Sequence, residues 1–161
     1  MEHLWAGWRS TYIKGAGDAD PDGCLFCRLP QQPDRQSLIV ARGETAFTVL
    51  NRYPYTTGHV MIAPLRHIAE PVDLAESERS ELWKSLADAQ YALQEAMSPA
   101  GFNLGANLGR VAGAGVPGHF HLHLVPRWEG DANFMTAVGS TRVLPEDLAD
   151  TWETLRAKMS T

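Results

Sequence analysis

Three histidines alternate with apolar residues in one stretch of this chain, His119-Phe120-His121-Leu122-His123-Leu124-Val125. In a β-strand, successive side chains point to opposite faces of the sheet. A strand at this place therefore puts the three imidazoles in a row on one face and Phe120, Leu122 and Leu124 on the buried face. The chain has six histidines in all. Because imidazole titrates near neutral pH, this row can supply a base, a nucleophile or a metal ligand to one site.

Two less specific interpretations of the same stretch stay open at this point. One is a surface strand that carries histidines without a chemical role. The other is a histidine-rich metal-binding tract, although such a tract leaves the hairpin and helix patterns in the rest of the chain unexplained.

Length and composition are those of a globular protein with one domain. The chain has 161 residues, enough to bury a sizeable core, and its contents of 44% hydrophobic and 20% charged residues are ordinary. Glycines are frequent between residues 15 and 23. We therefore expect an N-terminal arm at residues 1–23, followed by a single domain at residues 24–161.

The charge balance and the cysteine count exclude several classes of protein. A net charge of -5 and a pI near 5.6 argue against a nonspecific nucleic-acid binder, but they allow a small anionic ligand. No apolar run approaches the roughly 20 residues of a membrane span, and no signal-peptide pattern is visible. Two cysteines cannot form a disulfide framework, so we expect a cytoplasmic protein.

Local patterns predict strands and helices in a mixed order. Strands rich in β-branched and aromatic residues are predicted at 37–41, 45–50 and 58–63. A long helix is predicted from residue 74 or 76 to residue 97, because apolar residues recur there at helical spacing. A fourth strand at 102–108, placed at the centre of the sheet, and a fifth at 119–126 follow. A short last helix is predicted from near Pro145. The predicted fold class is α+β, a five-stranded antiparallel sheet with one long helix and a short C-terminal helix on one side.

Several segments together resemble the histidine triad (HIT) family of nucleotide hydrolases and transferases. The alternating histidines match its signature, and Leu50–Pro54 with Gly58–Pro64 look like its first core hairpin. Pro126-Arg127-Trp128, Gly130–Phe134 and the N-terminal pieces His3-Leu4-Trp5 and Tyr12-Ile13 resemble its bacterial dinucleoside polyphosphate branch. The resemblance covers residues 3 to 135. It implies the same five-stranded fold and a homodimer, with the long helix and a central strand at the interface.

The resemblance also implies a catalytic set. In the family the middle histidine, here His121, displaces a leaving group from phosphorus and forms a nucleotidyl-histidine intermediate. A neutral imidazole suits this attack because it is not repelled by the phosphate charge, and the intermediate divides one difficult step into two. His123 would contact the transferring phosphate, and His59 would support the site from the adjacent strand, although a buried structural histidine is the alternative for His59.

Further family residues suggest how a nucleotide would be held. Asn51 matches a residue that binds the ribose hydroxyls, although a turn residue before Pro54 is the alternative. Asn107 aligns approximately with an amide that contacts phosphate, and Gly113–Val116, which includes Gly115 and Val116, could present backbone N–H groups to an anion. Gly115 replaces a glutamine of the eukaryotic diadenosine triphosphate branch, which weakens transfer of that branch's substrate preference. Val49 and Met61 would wall the base unless they are ordinary core residues.

The sequence also predicts a metal site. Cys24-Leu25-Phe26-Cys27 has the spacing of two zinc thiolates. His67 and His119 match the remaining two ligands of zinc-bearing relatives, so the expected set is Cys24, Cys27, His67 and His119, a structural zinc. A redox pair or two buried thiols are the alternatives. No organic cofactor is expected.

The resemblance leads to one functional prediction. We expect an enzyme that cleaves diadenosine polyphosphates, with diadenosine tetraphosphate favoured, at the α-phosphate. Inorganic phosphate as acceptor would make it a phosphorylase, and water would make it a hydrolase. Nucleoside phosphoramidate hydrolysis and a catalytically weak nucleotide-binding regulatory protein are the alternatives.

Overall fold

Five strands form one antiparallel sheet in the computed structural model, which describes residues 23–131 and 146–159. The strands, in chain order, are β1 Ile39–Arg42, β2 Ala46–Leu50, β3 Val60–Pro64, β4 Gly101–Gly105 and β5 Leu122–Arg127. The α-helices of these described ranges are α1 Leu25–Arg28, α2 Asp34–Ser37, α3 Glu76–Met97 and α4 Leu148–Met159. The predicted fold class is confirmed. The division into an arm at 1–23 and a domain at 24–161 stays a prediction, because the arm lies outside the described residues except for Gly23.

The long helix α3 has the boundaries that its sequence predicts. At its start, the N–H of Ala75 donates to the carboxylate of Glu78 over 2.8 Å, which satisfies a backbone donor that the helix leaves unpaired. At its end, Ser98 adopts the left-handed conformation, and Pro99 follows. The buried residues of the helix include four that recur at helical spacing, as the sequence predicts: Leu82, Leu86, Ala89 and Leu93.

The sheet separates two apolar clusters. One face packs on α3 and α4, where Leu50, Ile62 and Leu124 lie in the larger cluster. The other face carries a smaller cluster that includes Phe26, Val49 and Met61. The smaller cluster forms the floor of the site described below.

Gly58 is required where the chain enters β3. Its φ is 77°, and a Cβ atom built there would lie 2.8 Å from Leu93 Cδ2 and 3.0 Å from Met97 Sδ. A side chain at this position would therefore push β3 away from α3, since both the backbone conformation and the space exclude it.

The predicted central position of the fourth strand is wrong. The sheet order is β1-β2-β3-β5-β4, so β4 is an edge strand and β5 lies between β3 and β4. The reason is the path of the chain. Helix α3 carries it across to the edge, and the glycine-rich segment at residues 106–118 brings it back to fill the gap beside β3.

The fifth strand also begins later than predicted, at Leu122 rather than at residue 119. The N–H of Phe120 donates to the carbonyl of Ile68 over 2.6 Å, outside the ladder with β3. The alternation of faces nevertheless holds at Phe120 and Leu124, which are buried in the core, while Leu122 is partly buried.

Helix α4 closes the core from the side of β1. Its buried residues are Thr151, Trp152 and Leu155, and the indole N–H of Trp152 donates to the carbonyl of Ile39 over 2.9 Å. None of the helices in the described ranges combines the length and the hydropathy that crossing a membrane requires.

Candidate active site and metal cluster

The register of the sheet places one triad histidine over the smaller apolar cluster. Val49 pairs with Met61, Met61 pairs with His123, and His123 pairs with Gly105. Directly opposed residues of antiparallel strands project to the same face. The four residues therefore form a row across β2, β3, β5 and β4, with the imidazole of His123 beside Met61.

A cavity of about 290 Å³ opens on this face of the sheet. It is lined by all six residues predicted for nucleotide binding and by two of the three predicted catalytic histidines: Val49, Asn51, Met61, Asn107, Gly115, Val116, His121 and His123. We call it the nucleoside cavity. His59 is absent from its lining and lies fully buried behind His123.

Two aromatic side chains of the cavity were not expected from the sequence. Phe26, inside the Cys-x-x-Cys segment, lies with its ring centroid 4.6 Å from that of His121. Tyr55 stacks on His59 at 4.7 Å and 25°. The only sequence signal for them is their position inside or next to matched motifs, because they become neighbours of the histidines through tertiary packing.

His121 has one ring nitrogen committed and the other available. Its Nδ1 lies 2.8 Å from the carbonyl oxygen of His119. A carbonyl can only accept, so Nδ1 carries the proton and Nε2 keeps a lone pair. Burial lowers the pKa of His121 below its ordinary value despite this bond. The neutral form, which is the nucleophilic one, therefore predominates at neutral pH.

A chain of hydrogen bonds also determines the tautomer of His123. The backbone N–H of Tyr55 donates to His59 Nδ1 over 3.2 Å, so this nitrogen is unprotonated. In a neutral ring the proton of His59 then lies on Nε2, which is 2.9 Å from His123 Nδ1. His123 accepts that bond and keeps its own proton on Nε2. The result is an N–H donor beside His121.

Asn51 makes the contacts of a turn residue and also contacts the histidine chain. Its Oδ1 accepts the N–H of Tyr53 over 2.9 Å, and its Nδ2 lies 3.3 Å from His59 Nδ1. Both interpretations of Asn51 are therefore compatible with its position, since it shapes the turn and also lines the nucleoside cavity.

The glycine-rich segment faces the cavity beside Asn107. Asn107 Nδ2 donates to the carbonyl of Gly113 at 3.5 Å, and Gly113 has a φ of 91°. This positive φ is a conformation that favours glycine. The segment therefore brings backbone groups close to the cavity, and its role as an anion site stays a prediction.

The four residues predicted to bind a metal form one cluster. Ligand atoms of Cys24, Cys27, His67 and His119 all lie within 4.8 Å of one another. Cys24 Sγ is 3.3 Å from His119 Nδ1, and Cys27 Sγ is 3.4 Å from His67 Nδ1. Tetrahedral zinc with bonds of about 2.0–2.3 Å requires ligand atoms at about this separation. The cluster is compatible with zinc.

The partner of His119 supports the same interpretation. His119 Nε2 lies 2.9 Å from the carbonyl oxygen of Pro64, which accepts a hydrogen bond from the Nε2–H group. The Nδ1 lone pair is therefore directed toward the two sulfur atoms. Metal-binding histidines commonly donate their second N–H to a carbonyl in this way, which sets the tautomer of the ligand.

Comparison with known proteins gives concordant results. The family model described as HIT domain matches residues 32–130. The protein named AP-4-A phosphorylase from Mycobacterium tuberculosis (strain ATCC 25618 / H37Rv) is 40% identical over 157 residues, covering 94% of this chain and 80% of the relative. The bis(5'-nucleosyl)-tetraphosphatase [asymmetrical] of Schizosaccharomyces pombe is 32% identical over 95 residues, covering 59% of this chain and 52% of that protein.

A solved structure matches over most of its length. The Zn-bound histidine triad family protein from Mycobacterium smegmatis superposes with a TM-score of 0.68 at 26% identity, covering 85% of this chain and 93% of that one.

Proposed function

Because this chain belongs to the HIT domain family, we propose that it is an enzyme that cleaves diadenosine polyphosphates at the α-phosphate. Diadenosine tetraphosphate is the favoured substrate, since the 40% identical relative is named AP-4-A phosphorylase and matches over nearly the whole of this chain. The tetraphosphatase relative supports the same class of substrate.

One observation carries the proposal. His121 lines the nucleoside cavity with its Nδ1–H held by the carbonyl of His119, so the lone pair of Nε2 is the reactive group. Because the ring is already oriented, less entropy is lost when it reaches the transition state of the attack.

The chemistry balances without a proton transfer in the first step. Nε2 of His121 forms a bond to the α-phosphorus while the bond from phosphorus to the leaving oxygen breaks. The electron pair stays on that oxygen, and ATP departs. The positive charge on the imidazole of His121 is steadied by the bond from Nδ1–H to the carbonyl of His119.

His123 and His59 stabilise the charge that develops on the phosphate. The Nε2–H of His123 donates to a phosphate oxygen, and His59 holds His123 in that tautomer. The preorganised donor acts in a partly water-excluded site, where a hydrogen bond to an anion is stronger than in bulk water.

The rest of the nucleoside cavity binds the adenosine half. In this proposal the ribose hydroxyls contact Asn51, the base lies between Val49 and Met61, and Asn107 contacts phosphate. Gly115 and Val116 present the backbone of the glycine-rich segment to the phosphate, as other loops of this kind do. The cavity supports this arrangement because these residues line it together.

The acceptor in the second step is inorganic phosphate in this proposal. The name of the 40% identical relative supports phosphorolysis, which yields ADP and ATP. Hydrolysis would instead yield AMP and ATP.

Product analysis with diadenosine tetraphosphate, with and without inorganic phosphate, tests the function. ADP that appears only with phosphate is the expected result. AMP formed regardless of phosphate would identify a hydrolase. Absence of any cleavage would reject the substrate class and make nucleoside phosphoramidates the next substrates to assay.

We also propose that zinc occupies the cluster of Cys24, Cys27, His67 and His119. Its role is structural, because four protein ligands complete the coordination of zinc and leave no position for water. Thiolates kept reduced as ligands suit a cytoplasmic location.

A homodimer is the remaining proposal about the assembly. β4 is an edge strand with Leu104 half exposed, and α3 exposes Trp83 and Tyr91 at 61% and 70%. Tryptophan and tyrosine side chains are enriched at protein–protein interfaces. Light scattering after gel filtration should give twice the chain mass, and a monomer at all concentrations would contradict the proposal.

A further inference from the structure

A second cavity lies beside the histidines on the same face of the sheet. Its volume is about 350 Å³. Its walls come mainly from the last residues of β4 and from β5. His123, Val125 and Arg127 alternate along β5 and so share one face, and Asn103 of β4 pairs with Val125 on that face. Three residues, Tyr55, Asn107 and His123, line both this cavity and the nucleoside cavity, so the two are contiguous.

The second cavity offers the leaving group a place away from His121. His121 lines the nucleoside cavity but is absent from the lining of the second one, whereas His123 lines both. In an in-line displacement at phosphorus, the leaving oxygen lies opposite the attacking atom. Because His123 lines both cavities, phosphates that extend from an α-phosphate beside His121 into the second cavity pass His123.

The chemistry of the lining favours an anion. Among the described residues, the lining includes one guanidinium and no carboxylate, in a chain with a net charge of -5. His123, whose Nε2 carries the proton by the tautomer argument above, is also part of this lining. The charge of Arg127 is shared, because it also donates to Asp131 over 2.5 and 2.8 Å.

Asn103 adds an amide whose two end atoms can be told apart. Its side-chain oxygen lies 2.7 Å from Arg127 Nη1. A guanidinium can only donate, so the group beside it is Oδ1, and the amide nitrogen of Asn103 is the group left for a ligand. An amide nitrogen offers two N–H donors to phosphate oxygens.

We propose that this second cavity is the subsite for the phosphate groups beyond the α-phosphate. The inference rests on the proposed function and adds to it a place for the second reactant. In the first step the subsite holds the leaving polyphosphate. In the second step it holds inorganic phosphate, whose oxygen bonds to the α-phosphorus as the bond to His121 Nε2 breaks. The electron pair returns to that nitrogen, and ADP is released.

The variant Asn103→Asp tests the subsite with little change of shape. The carboxylate keeps an oxygen for Arg127, removes both N–H donors and adds a negative charge next to the ligand. Gln90→Glu is the matched control, since it makes the same chemical change at an exposed position of α3.

The first readout is binding without turnover. In a His121→Ala background, titration calorimetry compares AMP with ATP. We expect Asn103→Asp to weaken ATP binding about tenfold, equivalent to about 1.4 kcal/mol, and to leave AMP binding within about twofold, because AMP does not reach the subsite. Gln90→Glu should change neither affinity.

The second readout is the phosphate dependence of turnover in the protein with His121 intact. We expect the phosphate concentration for half-maximal ADP formation to rise about tenfold in Asn103→Asp and to stay unchanged in Gln90→Glu. A shift only in ATP binding assigns the subsite to the leaving polyphosphate, and a shift only in the phosphate dependence assigns it to the acceptor. Either shift supports the subsite.

Two results overturn the subsite. One is no change in either readout, and the other is an equal loss of AMP and ATP affinity, which would assign Asn103 to the nucleoside cavity. A different result would reject the proposed function alone. In that case the wild-type protein does not cleave diadenosine tetraphosphate, but Asn103→Asp still weakens ATP binding and leaves AMP binding unchanged.

Discussion

At the scale of single residues, the site depends on hydrogen bonds that orient rings. One backbone carbonyl, from His119, orients His121, and one backbone N–H, from Tyr55, determines the tautomers of His59 and His123. Both backbone groups are properties of the fold, so side-chain substitutions around them leave the orientation in place. This arrangement separates the chemical role of each imidazole from its structural role.

His121→Ala should reduce turnover of diadenosine tetraphosphate by about four orders of magnitude or more, because no other group supplies the attacking lone pair. The measurement is the initial rate of ATP release. AMP binding and the melting temperature should stay close to those of the wild-type protein. A variant that retains more than about a tenth of the rate would reject the nucleotidyl-histidine mechanism.

At the scale of elements, helix α3 holds the β1–β2 hairpin through one carboxylate. Glu81 accepts the backbone N–H groups of Glu44 and Thr45, both over 2.6 Å, as well as the hydroxyl of Thr45. A Cβ at Gly43 would overlap the carboxylate of Glu81, so a side chain there would displace these contacts. The clamp places β2, and with it Val49 and Asn51, against the rest of the sheet.

Glu81→Gln should destabilise the protein by about 1–3 kcal/mol, because an amide nitrogen cannot accept the bonds that one carboxylate oxygen now receives. Urea unfolding at pH 7 measures this change. Glu95→Gln, an exposed position on the same helix, is the control and should stay within about 0.5 kcal/mol of wild type. Equal stability of the two variants would exclude the clamp.

Acid should weaken the contacts of two glutamates of α3, Glu78 and Glu81. The guanidinium of Arg66 lowers the pKa of Glu78. For Glu81, burial raises the pKa, but the bonds from Thr45 and Glu44 outweigh burial and lower it overall. A carboxyl group whose pKa is lowered by folding stabilises the protein at pH values above its unfolded pKa of about 4.3. This stabilisation is lost as the pH falls through the pKa of the folded state. The difference in unfolding free energy between wild type and Glu81→Gln should therefore shrink from pH 5 toward pH 3. A difference that stays constant over this range would contradict the lowered pKa of Glu81.

At the scale of the whole molecule, the metal cluster joins three distant parts of the chain. Cys24 immediately precedes α1 and Cys27 lies within it, His67 follows β3, and His119 precedes β5. Helix α1 also carries Leu25 and Phe26 into the wall of the nucleoside cavity. A metal at the cluster would therefore hold one wall of the substrate site against the strand that carries the nucleophile.

Protein purified without chelator should contain about one zinc per chain. Removing the metal should lower the free energy of unfolding by at least about 2 kcal/mol, or about 4–8 °C in melting temperature, and should weaken AMP binding. Elemental analysis, thermal unfolding and AMP titration before and after chelation measure these effects. Absence of zinc together with unchanged stability after chelation would remove the metal from the proposal.

The sequence by itself determined the elements and the composition of the site. Alternating apolar residues marked the strands and the helical repeat marked α3. All the predicted site residues except the buried His59 line one cavity or form one metal-compatible cluster. These patterns depend on local geometry, on periods of 2 and 3.6 residues and on fixed motif spacing, so they are visible along the chain.

Tertiary structure decided what depends on contacts between distant residues. It set β4 at the edge rather than the centre of the sheet, started β5 at Leu122 because Phe120 bonds to Ile68, and brought Phe26 and Tyr55 against the histidines. It also aligned Asn103 with His123 and Arg127 to form the second cavity. Strand order and register follow from how the whole core packs, and no local pattern in the sequence encodes that choice.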